Sequence, residues 1–215
     1  MQPHNVFDWT YSKIRAFFQV SDAQFHLASV DTNRYSCFHL IMGFSKEKFQ
    51  RIVIVGNSGS GKSYLARQLS SKLGSQVVHF DEHFWEPGGF NKRRLPEVVH
   101  SEIKQLSLEE MWIMEGVFGD LAATALANAT ALIFLNKSWD ECKSALLERG
   151  SESSKQLDTT SAEKNFKELM SWAEAYTQRE NSRSLKGHTK LYEEFNGPKF
   201  AFHDRQSVAD FVSAL

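Results

Sequence analysis

From Arg51 onward, apolar and polar positions fall into alternating blocks: short apolar runs separated by stretches with helical spacing. Ile52-Val53-Ile54-Val55 has the continuous apolar character of a strand buried on both faces. Ser63–Leu73 follows with helical spacing and stops at Gly74, a helix-ending signal. Val77-Val78-His79-Phe80 predicts a second strand closing at Asp81, and Pro87-Gly88-Gly89 predicts a turn. A helix is expected from about Pro96 to Leu106, with proline in the first turn, where its missing N–H costs nothing. Trp112-Ile113-Met114 predicts a third strand ending at Glu115-Gly116. Ala131–Leu135 predicts a fourth, followed by a helix through Cys142 to Leu147. Within 161–179, Phe166, Leu169, Met170, Ala173 and Tyr176 share one helical face. Lys199-Phe200-Ala201-Phe202 predicts the last strand and Ser207–Ala214 the closing helix. Alternation of this kind predicts an α/β domain with five strands in a parallel sheet.

The first 45 residues keep neither period. They are rich in Phe, His, Ser and Asn, and no basic stretch precedes a continuous apolar run, so a secretory leader is not expected. Residues 1–45 are expected to form a poorly ordered extension and 46–215 the folded domain. Met42-Gly43-Phe44-Ser45-Lys46, with its polar lead into the first strand, reads as a natural start. The alternative for this segment is an aromatic docking arm.

Between the first strand and its helix lies Gly56-Asn57-Ser58-Gly59-Ser60-Gly61-Lys62-Ser63, with the spacing G-x-x-x-x-G-K-[ST] of a phosphate-binding P-loop. Glycines let the backbone curl and point successive N–H groups inward, and the helix adds its positive end. Lys62 can place a point charge on β- and γ-phosphates, and Ser63 can offer its hydroxyl to Mg²⁺. Tyr64, next in line, completes the candidate nucleotide-binding set Gly56–Tyr64. A chance match in a chain of this length is roughly one in a hundred at ordinary residue usage. The flanking strand and helix argue against a flexible linker.

Open α/β sheets bind ligands beyond the carboxyl ends of their strands. Asp81 and Glu115 each close a predicted strand, so both are expected at the rim that holds the loop. Asp81 is the candidate base or orienter for an acceptor hydroxyl, and Glu115 the candidate holder of metal-bound water. For each, capping of a helix or turn is the alternative. Arg149 precedes a polar run expected to form a short lid around 149–162, and is the candidate clamp on transferring charge. Arg179 and Arg183 are weaker candidates, and Lys92-Arg93-Arg94 lies where an anionic acceptor would approach. His79 and His83 flank Asp81-Glu82 in a metal-like cluster, but no further cysteine or histidine cluster completes a zinc site, so they read instead as histidines of a substrate loop. Asn136-Lys137-Ser138-Trp139-Asp140 departs from the guanine-reading N-K-x-D by one residue; Ser138 and Glu141 read instead as a capping box.

Bulk properties narrow the field without choosing within it. The chain has 215 residues, 41% hydrophobic and 24% charged, with formal net charge −1. No global field recruits nucleic acid or an anionic membrane, and no apolar run approaches the ~20 residues of a span. Cys37 and Cys142 have no disulfide or metal spacing, which fits a reducing cytosol.

Ile52–Ser63, His79-Phe80-Asp81-Glu82-His83-Phe84-Trp85-Glu86-Pro87-Gly88, Trp112–Gly116 and Ala131–Leu135 together resemble P-loop kinases of the adenylate-kinase-like group. The likeness is greatest to the small bacterial proteins labelled AAA-family ATPase or DNA topology modulation (FlaR-related) kinase. It spans about three quarters of the chain. It implies a three-layer α/β/α fold like the nucleoside-monophosphate kinases, with a parallel sheet in 2-3-1-4-5 order. It further implies Mg-ATP in the loop and phosphoryl transfer to a small acceptor beyond the second strand. Asp81 would be the acceptor-side carboxylate, Arg149 the lid arginine, and His203-Asp204-Arg205 would lie near adenine. The chain departs from the pattern at Glu115-Gly116, where Asp-Gly is common, at Tyr64, and in having no second lid arginine. A nucleotide-dependent regulatory ATPase module acting on a protein partner is the alternative activity.

Overall fold

The structure is a computed structural model that describes residues 49–87, 90, 92–150 and 159–215. The extension expected over 1–45 and residues 151–158 of the expected lid lie outside the described residues. β1 (Arg51–Gly56) leads through the glycine-rich loop into α1 (Lys62–Leu73), and β2 (Gln76–His79) leads directly into α2 (Phe80–Phe84). α3 (Pro96–Leu106) precedes β3 (Trp112–Gly116), and α4 (Gly119–Leu126) precedes β4 (Ala131–Leu135). α5 (Trp139–Arg149), α6 (Thr159–Glu174) with a 3₁₀ turn at Ala175–Thr177, and α7 (Leu185–Glu194) follow. β5 (Lys199–Phe202) and α8 (Arg205–Ala214) close the domain.

All strand pairs are parallel and the order is 2-3-1-4-5, as expected. β1 is central, so its apolar run is needed on both faces: Ile52 to Val55 are all fully buried. The register sets Ile54 beside Glu115 and Gly56 beside Leu135, and it sets His79 on β2 opposite Glu115 on β3. The carboxyl ends of β1, β2 and β3 therefore finish at one level.

Two expectations change. Phe80 and Asp81 are not strand residues; the chain turns into α2 straight after His79. Asp81 and Glu82 sit in that helix's first turn, where the positive helix end favours carboxylates. Phe80 packs beneath Gly116, close enough that a Cβ at Gly116 would lie 2.9 Å from the Phe80 Cβ. Helices α4 and α7 were not expected at all. α4 is entered through Phe118, which offers no capping side chain. α7 starts on a capping serine, Ser184, whose hydroxyl accepts from the Gly187 N–H at 3.1 Å, but it carries that glycine in its first turn. That glycine is required by packing, because a Cβ there would stand 2.5 Å from the Asn181 carbonyl oxygen. Among the described residues, no helix is long and apolar enough to cross a membrane.

His188 of α7 ties the last third of the chain to the sheet. It is fully buried, with Nε2 3.1 Å from the Val117 carbonyl oxygen and Nδ1 2.6 Å from the Tyr176 hydroxyl. A carbonyl only accepts, so Nε2 carries the proton and Nδ1 accepts from the tyrosine. Burial pushes the ring's pKa down to about 3, from 6.5. Between those values the unfolded chain holds the extra proton. The stability supplied by the neutral ring is therefore full above pH 6.5 and is lost as pH falls toward 3, at up to about 1.4 kcal/mol per pH unit. Thermal midpoints followed by circular dichroism from pH 7.5 to 4.5 should fall more steeply for the parent chain than for His188→Gln. Equal slopes would remove His188 from the acid-sensitive groups.

Candidate functional site

The loop between β1 and α1 is packed so closely at two of its glycines that a side chain has no room there. A Cβ at Gly59, where φ is 79°, would stand 2.3 Å from the Cys142 carbonyl oxygen; one at Gly56 would stand 2.6 Å from that of Leu135. The backbone thus lies directly on α5 and the end of β4. Asn57 is buried and anchors the loop from the other side. Its Nδ2 donates to the Ala173 carbonyl of α6 at 2.9 Å, and its Oδ1 accepts from the Ser58 N–H at 2.8 Å. Gly61 is the N-cap residue of α1 in left-handed conformation, and no side chain caps the first turn. The helix start presents unsatisfied N–H groups at the loop, which is the physical basis of anion binding there. Ser60 is fully buried, and its hydroxyl has no partner among the described residues.

Lys62 is 8% exposed, and its ammonium donates to the Asn57 carbonyl at 2.8 Å. Burial lowers its pKa, while the charges of Glu115 and Asp81 work against that shift. Glu115 is 3% exposed and its Oε1 is shared by two groups: it accepts from the Ser63 hydroxyl at 2.7 Å and meets His79 Nδ1 at 2.6 Å. Burial alone would raise the carboxyl. The His79 hydrogen bond, the Lys62 charge and the Ser63 hydroxyl overcome it and hold Glu115 below its ordinary value. The same hydrogen bond raises His79 against the opposing effect of its partial burial. Asp81 opens to solvent, but surrounding protein desolvates its carboxyl. That and the Glu115 charge raise it, against Lys62, Arg149 and His79.

Lys62, Ser63, Asp81 and Glu115 therefore meet on one rim. Glu115 is not a helix or turn cap; Asp81 does lie in a helical first turn, without losing its place at the site. Arg149 ends α5 and is exposed, with its charge acting on both Lys62 and Asp81. Tyr64 points largely outward, 57% exposed. Ser138 caps α5 by accepting from the Glu141 N–H at 3.3 Å, as its spacing predicts.

Other basic candidates serve the scaffold. Arg179 lies 3.7 Å over the Trp172 ring and donates to the carbonyls of Trp172 and Arg183. Arg183 pairs with Asp120 at 3.2 Å and covers the rings of Phe84 and Phe118. Arg94 forms a two-pronged bond to Glu102. With His83 on the same carboxylate, this holds Glu102 down to about 2. The histidine cluster is divided accordingly, His79 to Glu115 and His83 to Glu102. Among the described residues, no group of three His, Cys, Asp or Glu side chains could hold a metal ion.

His79, expected as a substrate-loop histidine, is instead the last residue of β2 and is paired with Glu115. The signal lay in register: a parallel strand two positions from β1 and ending at the same level brings its last side chain beside Glu115. In metal-free protein, the His79 ring followed by NMR should titrate above 6.5. Glu115→Gln should lower its pKa, since burial then acts with less opposition. A ring unmoved by the substitution would contradict the pairing.

No protein-family model matches the chain, and no curated protein matches it. Among solved structures it is similar to a shikimate kinase from Acinetobacter baumannii in complex with shikimate. That match has 16% identity, covers 79% of this chain and 93% of that one, and has a TM-score of 0.46. A gluconokinase from Sinorhizobium meliloti 1021 is 16% identical over 77% of this chain and 89% of its own, with TM-score 0.44. A deoxyadenosine kinase from M. mycoides with bound dATP is 16% identical over 75% and 96%, with TM-score 0.37.

Proposed function

We propose that the chain is a P-loop phosphotransferase that moves the γ-phosphoryl group of Mg-ATP to a small hydroxyl-bearing acceptor. The observation that carries this reading is the convergence of Lys62, Ser63, Glu115 and Asp81 beside an uncapped helix start. The residues fit a nucleotide polyphosphate: a loop crowded at Gly56 and Gly59, a buried serine hydroxyl without a partner among the described residues, and a buried ammonium held by one carbonyl. They also fit Mg²⁺, which takes few protein ligands and keeps water: one hydroxyl, with a carboxylate 2.7 Å behind it, is the donor set expected. ATP supplies the activated phosphoryl group and Mg²⁺ the charge that neutralises it.

The chain's own residues do the rest. Lys62 stabilises charge on the moving phosphoryl group, and Glu115 orients Ser63 and water near the metal. Asp81 holds the acceptor hydroxyl and takes its proton as the oxygen–phosphorus bond forms and ADP leaves. A carboxylate raised by its surroundings is closer to the pKa a base needs near neutral pH. Arg149 closes over the transferring group at the start of the 149–162 lid. Positioning and electrostatics supply nearly all the acceleration. The likeness to the FlaR-related kinases, carried by Asp81–Gly88, and a cytosolic site of action belong to the same proposal.

Lys62→Ala should lower turnover at least 100-fold in an ADP-release assay run across alcohol, sugar, hydroxy-acid and nucleotide acceptors. Asp81→Asn should lower it by about 10²–10⁴-fold while leaving the calorimetric Kd for ATP within a few-fold. ADP release that no acceptor accelerates would sink the transfer reaction and leave a regulatory ATPase.

A further inference from the structure

Lys137 is a cation at the loop with no structural partner among the described residues. Lys137 follows the end of β4 by two residues, and its Nζ lies 3.9 Å from the point where a Cβ of Gly61 would stand; beyond the neighbouring backbone, no other described residue comes within 4 Å of that point. It makes no hydrogen bond or ion pair with any described residue. It is half-buried, and burial lowers its ammonium; Glu141, Cys142 and Asp204 favour the charge, and Arg205 opposes it. An unpaired ammonium beside the positive, uncapped start of α1 is electrostatically unfavourable unless an anion joins them. In the same loop the buried Ser60 hydroxyl, beside Gly56, also has no partner among the described residues.

Topology says which part of that ligand Lys137 meets. β1 has β3 on one side and β4 on the other. The acceptor-side groups, Asp81 and Glu115, come from the β2–β3 flank, and Lys62 reaches back to Asn57. Lys137 comes from the opposite, β4 flank. A polyphosphate lying across the loop with its terminal group toward Asp81 turns its inner phosphates toward Lys137. Resting on the nucleotide reading above, we infer that Lys137 binds the phosphates that are not transferred, so that it holds ATP and ADP alike. The near-match to N-K-x-D is thus a phosphate contact and not a base reader.

Calorimetry with ATP and with ADP tests this. Lys137→Gln should weaken both nucleotides by a similar factor, roughly tenfold or more, as loss of a charge-assisted contact does. Lys137→Arg should retain most of the affinity, and in turnover Lys137→Gln should raise KM for ATP more than it lowers kcat. On the unaltered protein, ADP should shield Lys137 from amine-labelling reagents several-fold, read by peptide mass spectrometry, whatever the variants' folding. Unchanged affinity in Lys137→Gln, a loss confined to ATP, or labelling indifferent to ADP would each overturn the inference while nucleotide binding by the parent chain stood. A parent chain that bound neither nucleotide would overturn the phosphotransferase reading as well.

Discussion

The whole candidate site depends on how β1 is seated between β3 and β4. Parallel pairing sets Ile54 level with Glu115 on one side and Gly56 level with Leu135 on the other. A slip of one residue would exchange the faces of the Ile and Val side chains of β1, which the close packing on both sides resists. It would also carry Ser63 away from Glu115, because the loop between them is pinned at both ends. Gly59 lies against the Cys142 carbonyl and Asn57 holds Ala173. The core therefore sets the chemistry's geometry directly. The apolar run that reads as a plain buried strand is also the ruler by which the site is measured.

The site concentrates charge of both signs in little solvent. Lys62 is depressed by burial yet flanked by two carboxylates, and Glu115 stays ionised only because three partners outweigh its desolvation. His79 is one of those partners and is itself raised by the exchange. Such an arrangement is costly unless every member is paired. The pairing is met through single shared atoms: one oxygen of Glu115 serves both Ser63 and His79. Ser63 gives its proton to that oxygen and keeps its own lone pairs free, so the network is satisfied without using up the hydroxyl's capacity to accept.

Strong local patterns were legible in the sequence. The β-branched run, the glycine spacing, the Ser138 cap and the apolar runs of β3 to β5 each carry their own physical signal, and five parallel strands follow. What was not legible depends on contacts between distant segments. Phe80 reads as strand by composition, but its ring is needed under Gly116, and the chain turns into helix to put it there. Gly187 reads as a breaker, yet close approach to Asn181 is what lets α7 dock. His79 looks like half of a metal pair until the register places it beside Glu115. Arg179 and Arg183 look like clamps until Trp172 and Asp120 are found beneath them.

The division of labour among cations follows from their chemistry. A guanidinium is a flat fork that stacks on rings and grips carboxylates or carbonyls by two bonds, so arginine suits fixed architecture. Arg94, Arg179 and Arg183 are spent in that way, each with defined partners. A lysine ammonium is a compact charge on a flexible stem, better able to follow phosphates as they change. Lys62 has a single carbonyl partner and Lys137 no described one, and both stand at the loop. The two lysines at the glycine-rich loop thus stand apart from the three arginines, which are spent in the scaffold around it. Selection on the arginines should follow packing, and selection on the two lysines should follow the ligand.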